Sequence, residues 1–137
     1  MCENQCIVSY HNDVFFKFAL TEGKDGGDIR NFIIQELTGI CPKESIVLNP
    51  DLSPKQLEGK DIILDVHVNA DTGTEYDFEM QMGGEYVSEH KRFEYYGAKM
   101  LTYQLNKGEH YESLKEVYQI IFIDAYAKTN RNLINAY

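Results

Sequence analysis

The chain is poor in residues that cross-link, kink or anchor a protein. Its 137 residues include only three cysteines, Cys2, Cys6 and Cys41. That odd set has no C-x-x-C pair and no zinc-type spacing to a histidine, so ordinary reduced thiols are expected rather than a disulfide framework or a structural zinc. Long apolar runs are missing too. No stretch of roughly eighteen apolar residues occurs, and no charged-then-apolar leader opens the chain, which argues against a membrane span or a signal peptide and leaves the cytoplasm as the expected location. Basic charge is scarce: 13 Lys and Arg face 22 Asp and Glu, a formal charge of −9, the wrong sign for a general nucleic-acid coat although a local basic groove is compatible with it. The four histidines, His11, His67, His90 and His110, are scattered and read as surface or partly buried side chains rather than ligands. There is no internal repeat or low-complexity tract.

A hydrophobic content of 43% and a one-domain length are what the chain does have, enough for a sizeable core. The most informative stretch is DIILDVHVNADTGTEYDFEMQ, residues 61–81. Ile62, Leu64, Val66 and Val68 alternate with Ile63, Asp65, His67 and Asn69; past the turn, Tyr76, Phe78 and Met80 alternate with Glu75, Asp77, Glu79 and Gln81. A period of two on both arms predicts two strands with one buried face. Asp71-Thr72-Gly73 suits a three-residue loop with Gly73 in the left-handed region. Such a loop pairs Ala70 with Thr74, and then Val68 with Tyr76, Val66 with Phe78, Leu64 with Met80, His67 with Asp77 and Asp65 with Glu79. His67 and Asp77 form a favourable pair. Asp65 and Glu79 repel each other by about 0.2–1 kcal/mol in an exposed sheet, so a solvated pair, a nearby lysine or arginine, or a hard divalent cation must offset the cost. Mg²⁺ fits such a site because it takes one or two carboxylates and fills its shell with water and phosphate oxygens. Gln81 would be a third polar group beside it.

Around this hairpin the pattern predicts a brief helix on DVFFKFAL, capped by Asn12 or Asp13, with Phe15, Phe18 and Ala19 inward and Lys17 one turn after Asp13. Gly23, Gly26 and Gly27 should break it. A second helix from about Asp28 to Thr38 carries Ile29, Phe32, Ile33 and Leu37 as a core face, with Gly39 as its C-terminal cap. SIVLN reads as a short strand and PDLSPKQLEGK as a polar connection kept irregular by Pro50 and Pro54. The proline-free run from about Gly84 to Lys107 predicts a helix roughly 35 Å long, with Tyr86, Phe93, Gly97 and Met100 as its apolar stripe. On another stripe Arg92, Tyr96, Lys99 and Tyr103 interleave basic and aromatic groups. They read either as an amphipathic surface or as a ridge that contacts phosphates beside the acids. VYQIIFIDAY is a final buried strand. The order implies an α/β protein with a mixed sheet flanked by helices. A sheet edge left open at Ile121 to Ile123 suggests that residues 1–137 are one domain, the N-terminal part of a longer protein.

Taken together, DVFFKFAL, the LDV run followed beyond the turn by FEMQ, KRFEYYGAKM and KGEHYESL resemble the Rpn-type, transposase-associated nucleases of the PD-(D/E)xK superfamily. The resemblance spans nearly the whole chain. It implies a restriction-endonuclease-like core, Mg²⁺-dependent cleavage of DNA phosphodiesters with Mn²⁺ as a substitute, and a link to transposition or recombination. DNA is the implied partner, and a homodimer is a further candidate. Residue by residue, Asp65 takes the place of the metal-binding aspartate, Glu79 that of the acid of the (D/E)xK element, and Gln81 that of its lysine. The backbone carbonyl of Met80 would complete the metal ligands. Arg92 and Tyr96 match a recurring arginine and tyrosine of the following helix, and Asp13, Phe16 and Lys17 match an amino-terminal D-x-x-F-K element. Lys17, Arg92, Tyr96 and Lys99 are the candidate substrate contacts and Asp13 a supporting residue. Leu64 replaces the proline that usually precedes the aspartate, a position with no chemical role. Gln81 matters more, because an amide brings no charge to the phosphate; Lys17, Lys91, Arg92 and Lys99 are the cations that could supply it. The alternative function is a catalytically idle module of the same fold that binds DNA or a protein.

Overall fold

The computed structural model describes residues 13–22, 25–52, 62–81 and 86–123, with backbone alone at 13 and 86–88. The expected caps at Asn12 and Asp13, the side chains of Asp13 and Tyr86, Cys2, Cys6, His11, Gly23, Pro54 and the end of the VYQIIFIDAY run lie outside what is described. Helix α1 (Asp13–Thr21) and helix α2 (Gly26–Thr38) are followed by strands β1 (Ser45–Leu48), β2 (Val66–Ala70) and β3 (Glu75–Gln81). Helix α3 (Tyr86–Tyr103) and, after a short 3₁₀ turn, strand β4 (Val117–Ile123) complete the order. The sheet runs β1-β2-β3-β4, antiparallel except for the parallel β3–β4 pair. Parallel neighbours need a crossover, and α3 supplies it. The sheet is therefore covered on both faces, α1 and α2 on one and α3 on the other.

The hairpin forms in the register that parity dictates: Val66 pairs with Phe78, His67 with Asp77 and Val68 with Tyr76. The Ala70 N–H donates to the Thr74 carbonyl at 3.0 Å, and Gly73 takes the left-handed conformation at φ 88°. Val66, Val68, Tyr76 and Phe78 are each under 2% exposed and meet Phe16, Leu20 and Ile34 from the two helices. Burial of such side chains contributes about 1.5–3 kcal/mol apiece. Beyond Val66 the ladder stops. The chain bends at Asp65 and runs instead beside residues 50–52, where the Leu64 N–H donates to the Pro50 carbonyl and Asp51 bridges Ile63. Leu64, expected opposite Met80, joins Leu52, Ile62 and Met100 in a second cluster under α3. Leu52, from the segment expected to be a polar connection, is 2% exposed.

Both early helices turn differently from expectation. In α1 the buried positions are Phe16 and Leu20, while Phe15 and Phe18 are exposed. In α2 they are Gly26, Arg30 and Ile34, while Ile29, Phe32 and Leu37 are exposed. Each helix is apolar on more than one side, so spacing alone does not choose its inner face; contacts with distant residues do. Phe16 packs edge-on against Phe122, their ring centroids 5.3 Å apart. Arg30 donates to the carbonyls of Leu20 and Ser45 and to the Ser45 hydroxyl. It ties α1, α2 and β1 together, a buried cation satisfied by carbonyl oxygens instead of a carboxylate. Gly26, expected to be a breaker, is the first residue of α2; a Cβ there would meet the Ala19 carbonyl oxygen at 3.2 Å, so the close approach of α1 favours glycine at this position. At the other end Gly39 caps α2 as expected, at φ 74° with its N–H on the Gln35 carbonyl. Helix α3 spans 18 residues, shorter than expected, with Phe93 and Met100 buried.

Candidate active site

The opposition of Asp65 and Glu79 is resolved by backbone donors. Where the ladder ends, the Asp65 N–H donates to Oε1 of Glu79 at 2.9 Å, and the Met80 N–H donates to Oδ2 of Asp65 at 3.0 Å. Each carboxylate thus accepts an amide from the other strand, the strong charge-assisted kind of hydrogen bond. Lys17 adds a cation from α1, its Nζ 3.2 Å from Oδ1 of Asp65. The lysine that the sequence reading allowed as neutraliser is therefore in place, and it arrives from the first helix instead of the hairpin.

The other expected groups fall into two sets. Gln81 and Arg92 meet: Nη2 of Arg92 donates to Oε1 of Gln81 at 2.8 Å and is ion-paired with Glu89, its Oε2 2.8 Å away. A guanidinium only donates, so the oxygen of the Gln81 amide faces Arg92, and any contact of this amide with a phosphate oxygen or a water made at its other end is made by the NH₂ group. Arg92 also lies over the rings of Phe93 and Tyr96, at 4.8 and 5.7 Å from their centroids. Tyr96 is close enough to the acids for their charges to raise its hydroxyl pKa, although burial is the larger cause and Arg92 opposes it. Lys99 belongs to a different contact, with its Nζ 5.6 Å from the centroid of the Tyr95 ring. Tyr103 is exposed.

The polar face of the hairpin is not a wet one. Asp77 is 0% exposed, Glu79 3% and His67 5%; Gln119 of β4 lies against Asp77 and Arg92 of α3 near Glu79, while the Asn49 segment covers His67. His67 does not bond Asp77, its register partner. Its ring is held between the Asn49 carbonyl at 3.1 Å and Oε2 of Glu75 at 2.9 Å. Asp77 instead accepts from Nε2 of Gln119 at 3.2 Å and lies beside Glu79, close enough for the two carboxyls to influence each other. Burial, and after it the charge of Glu79, push the Asp77 carboxyl up to about 9. Burial raises Glu79 as well, with the Asp65 backbone bond pulling the other way. Two buried carboxyls in contact cannot both ionise cheaply. Asp77 and Gln119 were missed by the parity reading, which counted only the even face of the hairpin as buried. The signal was the helix between β3 and β4, since a crossover helix needs a sheet face to cover.

Among the described residues, no three His, Cys, Asp or Glu side chains form a metal cage. The carboxylates of Asp65 and Glu79 remain a hard-oxygen donor pair of the kind Mg²⁺ takes when water and phosphate fill the rest of its shell, so the donor chemistry fits that ion.

A mixed sheet sandwiched by helices, with two acids clamped where a hairpin ends beside a crossover helix, defines a restriction-endonuclease-like α/β nuclease fold. The chain belongs to the PD-(D/E)XK nuclease family transposases, whose family model matches residues 11–137. Compared with curated proteins and with solved structures, it finds no match in either set. No helix among the described residues is long and apolar enough to cross a membrane.

Proposed function

We propose that the protein is a Mg²⁺-dependent DNA endonuclease acting in transposition or recombination, with Asp65 and Glu79 as its metal-binding acids. The observation that carries this reading is the reciprocal clamp: two carboxylates fixed by each other's strands and flanked by Lys17 and Arg92. Apposed acids cost energy that a fold without use for them would shed, and a flanking cation on each side suits a polyanionic substrate. Asp65 and Glu79, with the Met80 carbonyl, would hold the ion, which would supply an acidified water and positive charge against the phosphate. The chain's own groups do the rest. Gln81, its amide turned by Arg92, donates a hydrogen bond to a phosphate oxygen or steadies the attacking water. Lys17 places beside Asp65 the positive charge that the amide at position 81 lacks. Tyr96 and Lys99, further along α3, would contact the flanking backbone of the DNA, and Asp13 would be a supporting residue, as the family resemblance implies.

The test pairs cleavage of supercoiled plasmid with calorimetry of Mg²⁺ and Mn²⁺. Glu79→Gln should abolish cleavage and weaken metal binding while the protein stays folded. Undiminished cutting by this variant refutes the role, and a parent protein that binds neither ion at millimolar concentration favours the idle binding module.

A further inference from the structure

The single glycine inside α3 lies against a residue of β4 that reaches the acidic site. A Cβ built on Gly97 would lie 2.9 Å from Oε1 of Gln119, so an alanine there would displace that amide. The other end of the same amide donates to Oδ2 of Asp77, its register partner across the parallel β3–β4 pair. Asp77 in turn sits two residues from Glu79 on the same face of β3, and both side chains are buried there next to one another. Among the described residues its Oδ1 has no hydrogen-bond partner, while its Oδ2 is held by Gln119. A line of contacts therefore runs from the back of α3 to the acid pair: Gly97, Gln119, Asp77, Glu79, Asp65.

We propose that Gln119 and Asp77 are positioning residues that hold the carboxylate of Glu79 toward Asp65, and that Gly97 is small so that Gln119 can reach them. This rests on the nuclease reading for its purpose, though not for its geometry. Groups that support metal-binding side chains typically cost about 10–100-fold in metal affinity when removed. A merely structural Gln119 would instead alter stability and leave the acids where they are.

The experiment has a metal-free arm and a metal arm. In the apo protein, the side-chain carboxyl ¹³C resonance of Glu79, assigned by its disappearance in Glu79→Gln, should move or broaden in Gln119→Leu and in Gly97→Ala. The Glu75 resonance, from the His67 pair, should stay in place. Gly97→Ala keeps the test decisive if Gln119→Leu fails to fold, because the atom it displaces is the end of a flexible side chain. In the metal arm, both variants should bind Mn²⁺ roughly tenfold more weakly. Asp77→Asn, which retains an acceptor for Gln119 and a donor for Glu79, should bind it far more tightly than Asp77→Ala. A Glu79 resonance unmoved in both variants overturns the proposal. So does an Asp77→Asn that loses Mn²⁺ as completely as Glu79→Gln, since Asp77 would then be a ligand itself. A parent that binds no Mn²⁺ sinks the nuclease reading, while the carboxyl resonance still decides the relay.

Discussion

Replacing Asp77 by asparagine should stabilise the protein at neutral pH, against the usual effect of altering a fully buried residue. In the unfolded chain this carboxyl titrates near its ordinary value of 3.8, and in the fold it is pushed up to about 9. Between those values the native state binds a proton that the unfolded state does not, so stability is fully present below about pH 3.8 and is lost as pH rises toward 9. At pH 7 the folded protein has taken up that proton across about three pH units, at about 1.4 kcal/mol each, which costs about 4 kcal/mol. Asparagine needs no proton. It can accept from Gln119 and donate to Glu79, and a poorer hydrogen bond subtracts about 1 kcal/mol, leaving a net gain of about 3 kcal/mol. Urea unfolding of parent and variant at pH 5, 6, 7 and 8, with chelator present to remove metal, measures this directly. The difference should widen by about 1.4 kcal/mol per pH unit. A variant less stable than the parent at pH 7, or a gap that does not change with pH, would mean that Asp77 keeps its charge in the fold and would refute the reasoning.

Other perturbations test other parts of the structure. Gly97→Ala gains about 1 kcal/mol of helix propensity and loses a hydrogen bond of about that size, so thermal unfolding should change little while the acidic site is disturbed; a loss of several kcal/mol would point to a rigid clash instead. Gln81→Lys sets an ammonium against Arg92, which donates to the present amide oxygen at 2.8 Å. It should cost about 1–2 kcal/mol and bring no gain in cleavage, and faster cutting with an unchanged melt would contradict this. Arg30→Met strands the carbonyls of Leu20 and Ser45 that the guanidinium now satisfies and should lower stability by about 3 kcal/mol in denaturant titration.

The hairpin was legible because it is governed by two local rules that agree: a period of two, and a glycine that takes a positive φ. Its register followed from counting. The inner faces of α1 and α2 were not legible, since Phe15, Phe18, Ile29, Phe32 and Leu37 are as apolar as Phe16 and Ile34, and the choice is made by Phe122 and by Arg30, residues whose partners lie far along the chain. In the site, Asp65 and Glu79 stood out as like charges brought face to face. Asp77 did not, because its burial depends on a helix and a strand that come later. Nor could spacing show that Lys17 meets Asp65, since that contact joins the first helix to a bend in the sheet.

The parallel β3–β4 pair also bears on the chain's birth at the ribosome. Gln119 lies 42 residues beyond Asp77, so for much of synthesis β3 must wait, its partner edge open and α3 unmade. An uncovered strand carrying Tyr76, Phe78 and Met80 invites pairing with other nascent chains. Glu75, Asp77 and Glu79 alternate with those apolar residues along that edge, and before α3 and β4 exist they stand in water as charges. The acids that the finished protein encloses thus serve the unfinished one as gatekeepers against aggregation.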